Sequence, residues 1–227
     1  MIATITQQDA ASDLVANYLN TLQKQGFTGD TDASYATRIT ASTDNSIYQQ
    51  LPQGVIFPKN EKDIQLALQT ASRDPFLSLT FGPRGGGTGT NGQSLTPGIV
   101  VDLSRYMREI LEINVEEGWV RVQTGVIKDQ LNDFLKPYGF FFSPDLSTSN
   151  RATIGGMIST DASGQGSLVY GKTSDHVLGL TTYLVDGTPM STAPINVEKA
   201  KIIAEQDTLV GTIYKTVLKI AIDERDA

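Results

Sequence analysis

The stretch that decides the fold runs from Gly82 to Gln93 and reads GPRGGGTGTNGQ. Glycines at 85, 86, 87, 89 and 92 alternate with Thr88, Thr90 and Asn91. Glycine reaches positive φ and lets a ligand approach the backbone with no Cβ in the way. Successive amides in such a loop make an anion-binding nest, and threonine hydroxyls add donors. The bland alternative is a floppy surface linker. Against it, apolar strands are predicted on either side, at 77–81 (LSLTF) and 99–103 (IVVDL), so the loop is held at both ends.

Three phosphate-binding patterns compete for this loop. The Walker pattern needs a lysine where Thr88 stands, and it fails. The spacing G-x-G-x-x-G occurs at Gly87, Gly89 and Gly92, but its mechanism requires a helix to open directly after the turn. Residues 93–98 (QSLTPG) form another turn instead, so the match is a decoy. A diphosphate held by loop amides alone remains.

Working outward, the run VIF from Val55 precedes a helix over 61–73, capped by Asn60 and buried through Ile64, Ala67, Leu68 and Ala71. With the strands around the loop this gives a β-α-β-loop-β order and a small sheet with a parallel pair. Upstream, Leu14, Val15, Tyr18, Leu19 and Leu22 mark an amphipathic helix over 9–25, closed by Gly26. Residues 28–54 have no period and read as a long ordered loop anchored by Asp44, Asn45, Ser46 and Tyr48. Downstream, ILEIN and WVRVQ flank Glu116-Glu117-Gly118 as a hairpin, and a helix follows at 127–136. Phe140, Phe141 and Phe142 read as packing residues. A strand over 177–185 ends at Asp186-Gly187, and the tail from about 196 is helical in two pieces. In the second piece Leu209, Ile213, Val217 and Ala221 form a stripe that must bury against something. No internal repeat is visible.

Composition narrows the chemistry. The 227 residues carry a net charge of −7, no cysteine and one histidine, His176. That excludes disulfides, thiolate nucleophiles, cysteine-ligated clusters within the chain and any multi-histidine metal site. No metal site is expected, and no basic footprint for nucleic acid is present. No signal segment or membrane span is legible, so a soluble, cytoplasmic protein is expected.

A second small-residue region runs from Ser143 to Leu180 and contains ATIGGMISTDASGQGSLVYG. Gly155-Gly156 suggests close backbone approach at the start of a short helix, and Thr160–Gly166 again offers close amides. Together with PRGGGTGTNG this resembles the FAD-binding domain of the FAD-linked oxidase superfamily, the vanillyl-alcohol oxidase and p-cresol methylhydroxylase (VAO/PCMH) type. From Asp44 through Leu180 the spelling is similar to the N-terminal part of large bacterial D-2-hydroxyglutarate dehydrogenases that also carry an iron–sulfur domain.

The resemblance implies an α+β fold of two subdomains, 44–106 and 107–227, after a lead-in over 1–43, and truncated at the C-terminus. It implies that Arg84, Gly85, Gly86, Gly87, Thr88, Gly89, Thr90 and Asn91 wrap the FAD pyrophosphate, with Ser94 close behind. Pro144, Asp145 and Leu146 would line the path between flavin and nucleotide. Thr153, Ile154, Gly155 and Gly156 would continue the binding, and Thr160, Asp161, Ser163 and Gly164 would approach the ribityl chain and pyrophosphate. Tyr170 and Gly171 match a following Tyr-Gly, and the Val177 backbone would face the adenine side. Some relatives tether flavin to a histidine in the glycine-rich loop; here position 88 is threonine, and no cysteine exists for a second tether, so FAD is expected to be non-covalent. Ser163 replaces the first glycine of a pair found in many relatives.

On this reading the chain is the FAD-binding part of an oxidoreductase acting on a small 2-hydroxy acid, D-2-hydroxyglutarate or D-lactate-like. The substrate-binding cap and any iron–sulfur cluster would belong to downstream sequence, and the catalytic residues with them. The electron acceptor is unknown; self-association through the 209–221 face and peripheral contact of the full-length form with the inner membrane are further expectations. Two alternatives remain at this point: a binding module of the same fold that has lost FAD, and an enzyme like UDP-N-acetylenolpyruvoylglucosamine reductase. Among single residues, His176 reads as a structural hydrogen-bonding residue beside a strand, and Arg84 either meets phosphate or fixes the loop through carbonyls. Trp119 reads as packing, and Asp102 and Asp161 are not assigned acid–base work.

Overall fold

Val55-Ile56-Phe57 and Ile99-Val100-Val101 are apolar without alternation, the pattern of strands covered on both faces. In the computed structural model, which describes residues 11–223, they lie in the middle of a four-stranded sheet. Its strands are β1 (Asp30–Asp32), β2 (Gly54–Phe57), β3 (Phe81–Arg84) and β4 (Ile99–Asp102), in the order β1-β2-β4-β3. β2, β4 and β3 are parallel, with Val55 opposite Val100 and Phe81 opposite Ile99, and β1 adds an antiparallel edge.

Side chains alternate across the sheet, and so do its covers. Ile56 and Ile99 meet α1 (Asp13–Lys24) and α3 (Glu61–Ala71) through Tyr18, Leu22 and Ala67. Val55 and Phe57 face the other way, with Val100, against Ala41 at the end of α2 (Tyr35–Thr40). Tyr18 is fully buried; its hydroxyl donates to the Ala67 carbonyl at 2.8 Å, and burial pushes its pKa up. Its ring sits edge-on to Phe76 and Phe81. Asn60 caps α3 as expected, accepting from the Asp63 N–H.

Two expectations need correction. The strand predicted over 77–81 is displaced: Phe76–Ser78 is a 3-10 turn with Leu77 64% exposed, and the strand occupies Phe81–Arg84. Pro83 is tolerated there because β3 is the sheet edge, where a missing N–H costs no ladder bond. The stretch read as a loop over 28–54 contains β1 and α2, the latter capped by the Ser34 hydroxyl. Of the helix expected over 9–25, Asp13–Lys24 is observed, while residues 9 and 10 lie outside the described residues.

The chain divides into two compact units, Met1–Val177 and Leu178–Ala227. The first continues with the hairpin β5 (Ile110–Asn114) and β6 (Trp119–Val122), then α4 (Lys128–Leu135), α5 (Ile154–Ser159) and α6 (Ser167–Tyr170). Val126, Leu131, Leu135, Ala152, Ile154 and Met157 form their core. Of the three phenylalanines, Phe142 packs on this core, while Phe141 is exposed and meets Tyr170 edge-on.

The second unit holds the hairpin β7 (Leu180–Tyr183) and β8 (Pro189–Thr192), turning at Gly187, and the helices α7 (Val197–Ala204) and α8 (Leu209–Asp223). The α8 stripe expected to bury is largely uncovered among the described residues: Leu209 is 40% and Val217 57% exposed. Only Gly211 of this helix is buried.

Candidate functional site

β3 ends at Arg84, and its carboxyl end leads straight into residues 85–98, which reach the parallel strand β4 without a helix. A parallel crossover ordinarily carries one. Its absence leaves the G-x-G-x-x-G spacing without a helix N-terminus, as the sequence indicates.

The loop is nevertheless held firmly. Gly82 leaves room for the Thr96 methyl, whose would-be Cβ contact is 2.9 Å, and the Thr96 hydroxyl accepts from the Gly98 N–H at 3.1 Å. Arg84 folds back beneath the loop. Its guanidinium donates to the Thr43 carbonyl at 2.8 Å and reaches the Ala41 carbonyl and the Ser94 hydroxyl. Of its two expected roles, the guanidinium fills the one that fixes the loop through carbonyls. Ser94 in turn donates to Asp44 at 3.2 Å. Burial alone would raise the Asp44 pKa; donation from Ser46 and Ser94 and the charge of Arg84 outweigh it and hold the carboxyl below its usual range.

Between these anchors the amides of Gly85, Gly86, Gly87, Thr88, Gly89 and Thr90 donate to no acceptor among the described residues. The amide of Asn91 is the first to be taken, by the Gln93 side chain at 3.0 Å. Six consecutive donors without an acceptor among the described residues, in a chain of net charge −7, are backbone groups available to an anion. Such donors meet a diphosphate without stacking cations against one another.

The structure brings the second small-residue segment against this loop. A Cβ on Gly85 would run into the Thr153 hydroxyl, and one on Gly86 into the Arg151 carbonyl. Thr153 caps α5, accepting from the Gly156 N–H at 3.3 Å. Here, however, most amides are already used. Ile154 donates to the Val126 carbonyl and Gly155 to the Thr124 carbonyl, each at 2.8 Å. Thr160 donates to Gly156, Asp161 to Ile158, and Gly164 to the Ser167 hydroxyl. The Ser163 amide has no acceptor among the described residues, and its side chain is exposed.

Asp161 is the one non-glycine residue at positive φ among the described residues, at 45°, a conformation that aspartate and asparagine tolerate. Its carboxylate accepts from Lys172 and, at 2.9 Å, from the Ser174 N–H. Lys172 is the main cause, with Ser174, of a pKa held down at about 2. Gly171 lies at φ 77°, where a Cβ would meet the Asp175 carboxylate at 2.5 Å. His176 Nε2 lies 2.6 Å from the Tyr170 carbonyl and 3.0 Å from the Ser143 hydroxyl. A carbonyl only accepts, so Nε2 carries the proton, and the ring ties two loop segments together as a structural residue. Pro144 is buried, Leu146 packs on the second core, and the Asp145 carbonyl closes on Gly164. Val177, the last residue of the first unit, donates to the Ser174 carbonyl at 3.3 Å.

Sequence reasoning missed Thr43, Gln93, Thr124 and Arg151 as parts of this site. Three of them act through main-chain carbonyls, which leave no signature in residue type. Gln93 could have been noticed as the polar side chain closest behind the glycines.

The protein class follows from a comparison with family profiles: residues 52–193 match the profile described as FAD binding domain. The chain belongs to this FAD-binding domain family of FAD-linked oxidases, with the α+β fold of the VAO/PCMH type. Among curated proteins it is 60% identical over 217 residues to a D-2-hydroxyglutarate dehydrogenase of Escherichia coli (strain K12), covering 96% of this chain and 21% of that protein. It is 58% identical over 226 residues to a protein of the same name from Pantoea ananatis, covering 100% and 22%. The chain thus spans about a fifth of the length of these relatives. Among solved structures, an alkyldihydroxyacetonephosphate synthase superposes with a TM-score of 0.70 at 18% identity, over 86% of this chain and 39% of that one. No helix among the described residues is long and apolar enough to cross a membrane.

The residues present fit the family's cofactor. The open amide run offers donors for a diphosphate, and the Gly85 and Gly86 surface admits close backbone packing that any side chain would block.

Proposed function

We propose that the chain is the FAD-binding part of a flavin-dependent 2-hydroxy acid dehydrogenase, with D-2-hydroxyglutarate or a D-lactate-like acid as substrate. The observation that carries this reading is the run of six open amides from Gly85 to Thr90, docked on Thr153 and Arg151. The names of the most similar relatives support the substrate class. When bound, FAD supplies a two-electron acceptor in its flavin ring.

The chain's own residues bind and orient. The amides of Gly85–Thr90 hold the diphosphate, with Asn91 at the end of the run. Arg84 and Ser94 support them from behind. Thr153, Ile154, Gly155 and Gly156 form a rigid wall, and Thr160, Asp161, Ser163 and Gly164 border the ribityl chain. Pro144, Asp145 and Leu146 line the passage to the flavin, and Tyr170, Gly171 and the Val177 backbone complete the surround. The division into a lead-in over 1–43 and FAD-binding subdomains over 44–106 and 107–227 belongs to the same reading. With Thr88 in the glycine-rich loop and no cysteine in the chain, FAD is held without a covalent bond.

The test is direct. The purified chain is mixed with FAD, desalted and scanned. Flavin bands at about 375 and about 450 nm that survive desalting, and pass into the supernatant on acid precipitation, support the reading. A colourless desalted chain contradicts it. The flavin-loaded chain should oxidise no 2-hydroxy acid with an artificial acceptor, because the substrate site is assigned to the remaining four fifths of the relatives' length; robust turnover refutes that assignment.

A further inference from the structure

The segment Thr43–Tyr48 lies outside every FAD-contacting role assigned above, yet it is tied to the glycine loop three times. The Asn45 N–H donates to the Gly87 carbonyl at 3.0 Å. Arg84 donates to the Thr43 carbonyl at 2.8 Å, and Ser94 donates to the Asp44 carboxylate at 3.2 Å. The segment is also closed on itself. Thr43 bridges Gln49, the Gln50 N–H donates to the Ser42 carbonyl, Asp44 accepts from the Ser46 N–H at 2.8 Å, and Ser46 accepts from the Tyr48 N–H at 3.1 Å.

A trans peptide sets its C=O and N–H on opposite sides of the bond. Anchoring the Gly87 carbonyl at Asn45 therefore turns the Thr88 N–H away from the Thr43–Tyr48 segment, leaving it free to donate elsewhere. The Arg84 carbonyl is held in the same way by the Leu103 N–H at 2.9 Å, which directs the Gly85 amide. Rotation of the Gly87–Thr88 peptide would present a carbonyl oxygen to an anion in place of a donor. Gly87, at φ 60°, has the backbone freedom to rotate, and the Arg84 guanidinium lies beneath it, 2.7 Å from a would-be Cβ.

We infer that Thr43–Tyr48 is a latch that sets the Thr88 amide as a diphosphate donor, with Asp44 and Arg84 as its positioning residues. This rests on the FAD reading of the loop. Asp44 acts through others: one carboxylate oxygen takes Ser46, the other Ser94, and a carboxylate in direct contact with a diphosphate would repel it.

The experiment measures ADP binding to the 227-residue chain by calorimetry for wild type, Asp44→Ala, Asp44→Asn, Arg84→Ala and the double alanine variant, with thermal melts beside it. Each alanine change should weaken ADP roughly 10- to 100-fold, the scale of one hydrogen bond to a charged group. Asp44→Asn, whose amide oxygen still accepts from Ser46, should bind within about threefold of wild type. The double variant should be no weaker than the weaker single one, because both open the same latch. Losses that multiply, or Asp44→Ala binding as wild type does, overturn the proposal. A readout free of ligand separates the two readings. If wild type binds neither ADP nor FAD, the FAD reading falls, and the Thr88 amide resonance of the free chain decides the latch. A resonance moved by Asp44→Ala supports it, and an unmoved one overturns it.

Discussion

Gly85–Thr90 and Ile154–Gly164 are alike in composition, both glycine-bearing and rich in small hydroxyl residues, and opposite in bonding. In the first, six amides in succession find no acceptor among the described residues; in the second, the amides of Ile154, Gly155, Thr160, Asp161 and Gly164 are all committed within the protein. The glycines differ correspondingly. Those at 85 and 86 let one segment lie on the other, whereas Gly155 and Gly164 let their segment close on Thr124 and Asp145. Glycine density alone therefore does not locate donors. What matters is whether the backbone has already used them, and the proposed roles divide accordingly: the first segment grips, the second supports.

The sharpest way to break this contrast is a pair of matched substitutions. Gly86→Val drives a side chain into the Arg151 carbonyl, and Gly164→Val into the Asp145 carbonyl, each a backbone obstacle that cannot swing aside. Calorimetry with FAD should show a loss of about 100-fold or more for Gly86→Val and only a few-fold for Gly164→Val, while melts show both destabilised. Equal losses of affinity would erase the distinction.

A gentler probe is Gly87→Ala. Its φ of 60° costs an L-residue roughly 1–2 kcal/mol, and the atom it meets is the movable end of Arg84. Denaturant titration should find that cost, with FAD affinity down about tenfold. Next comes Thr153→Ala, which removes the α5 cap for about 1 kcal/mol in stability and shifts FAD binding by less than Gly87→Ala does.

The smallest effect is electrostatic. Asp161 titrates near 3.8 when unperturbed and is held at about 2 in the fold, chiefly by Lys172. A depressed carboxylate stabilises the fold above its ordinary pKa and loses that contribution as pH falls through the folded value. Asp161→Asn keeps the residue type that tolerates φ 45° and removes the charge. Its acid-unfolding curve should be flatter than wild type between about pH 4 and 2, with stability at neutral pH little changed because the pair is exposed. An identical curve would show that the ion pair contributes nothing.

The parts legible in sequence were those with period or punctuation. Asn60 before a charged first turn announced α3, Glu116-Glu117-Gly118 announced the β5–β6 hairpin, and Asp186-Gly187 the turn before β8. β1 escaped because Asp-Thr-Asp carries no apolar alternation, and α2 because six residues span less than two turns. β3 was misplaced because Gly82-Pro83 reads as a break unless the strand is known to be an edge. At the site, the glycine loop was legible as a stretch of close backbone approach, and the segment that ties it down was not. Asp44, Asn45 and Ser46 stood out as anchors, but their target is the Gly87 carbonyl and the Ser94 hydroxyl, 40 and more residues away. Contacts that run through main-chain carbonyls depend on the fold being formed and are invisible in residue types.

The central claim is that the cofactor diphosphate is held by the open amides of the first segment. The most direct measurement is an amide-resolved NMR titration of the chain with FAD. The account predicts large downfield shifts of the Gly85–Thr90 amide protons on saturation, with the committed amides of Ile154, Gly155, Thr160, Asp161 and Gly164 moving much less. FAD binding that leaves Gly85–Thr90 unmoved, or shifts confined to the second segment, would contradict it.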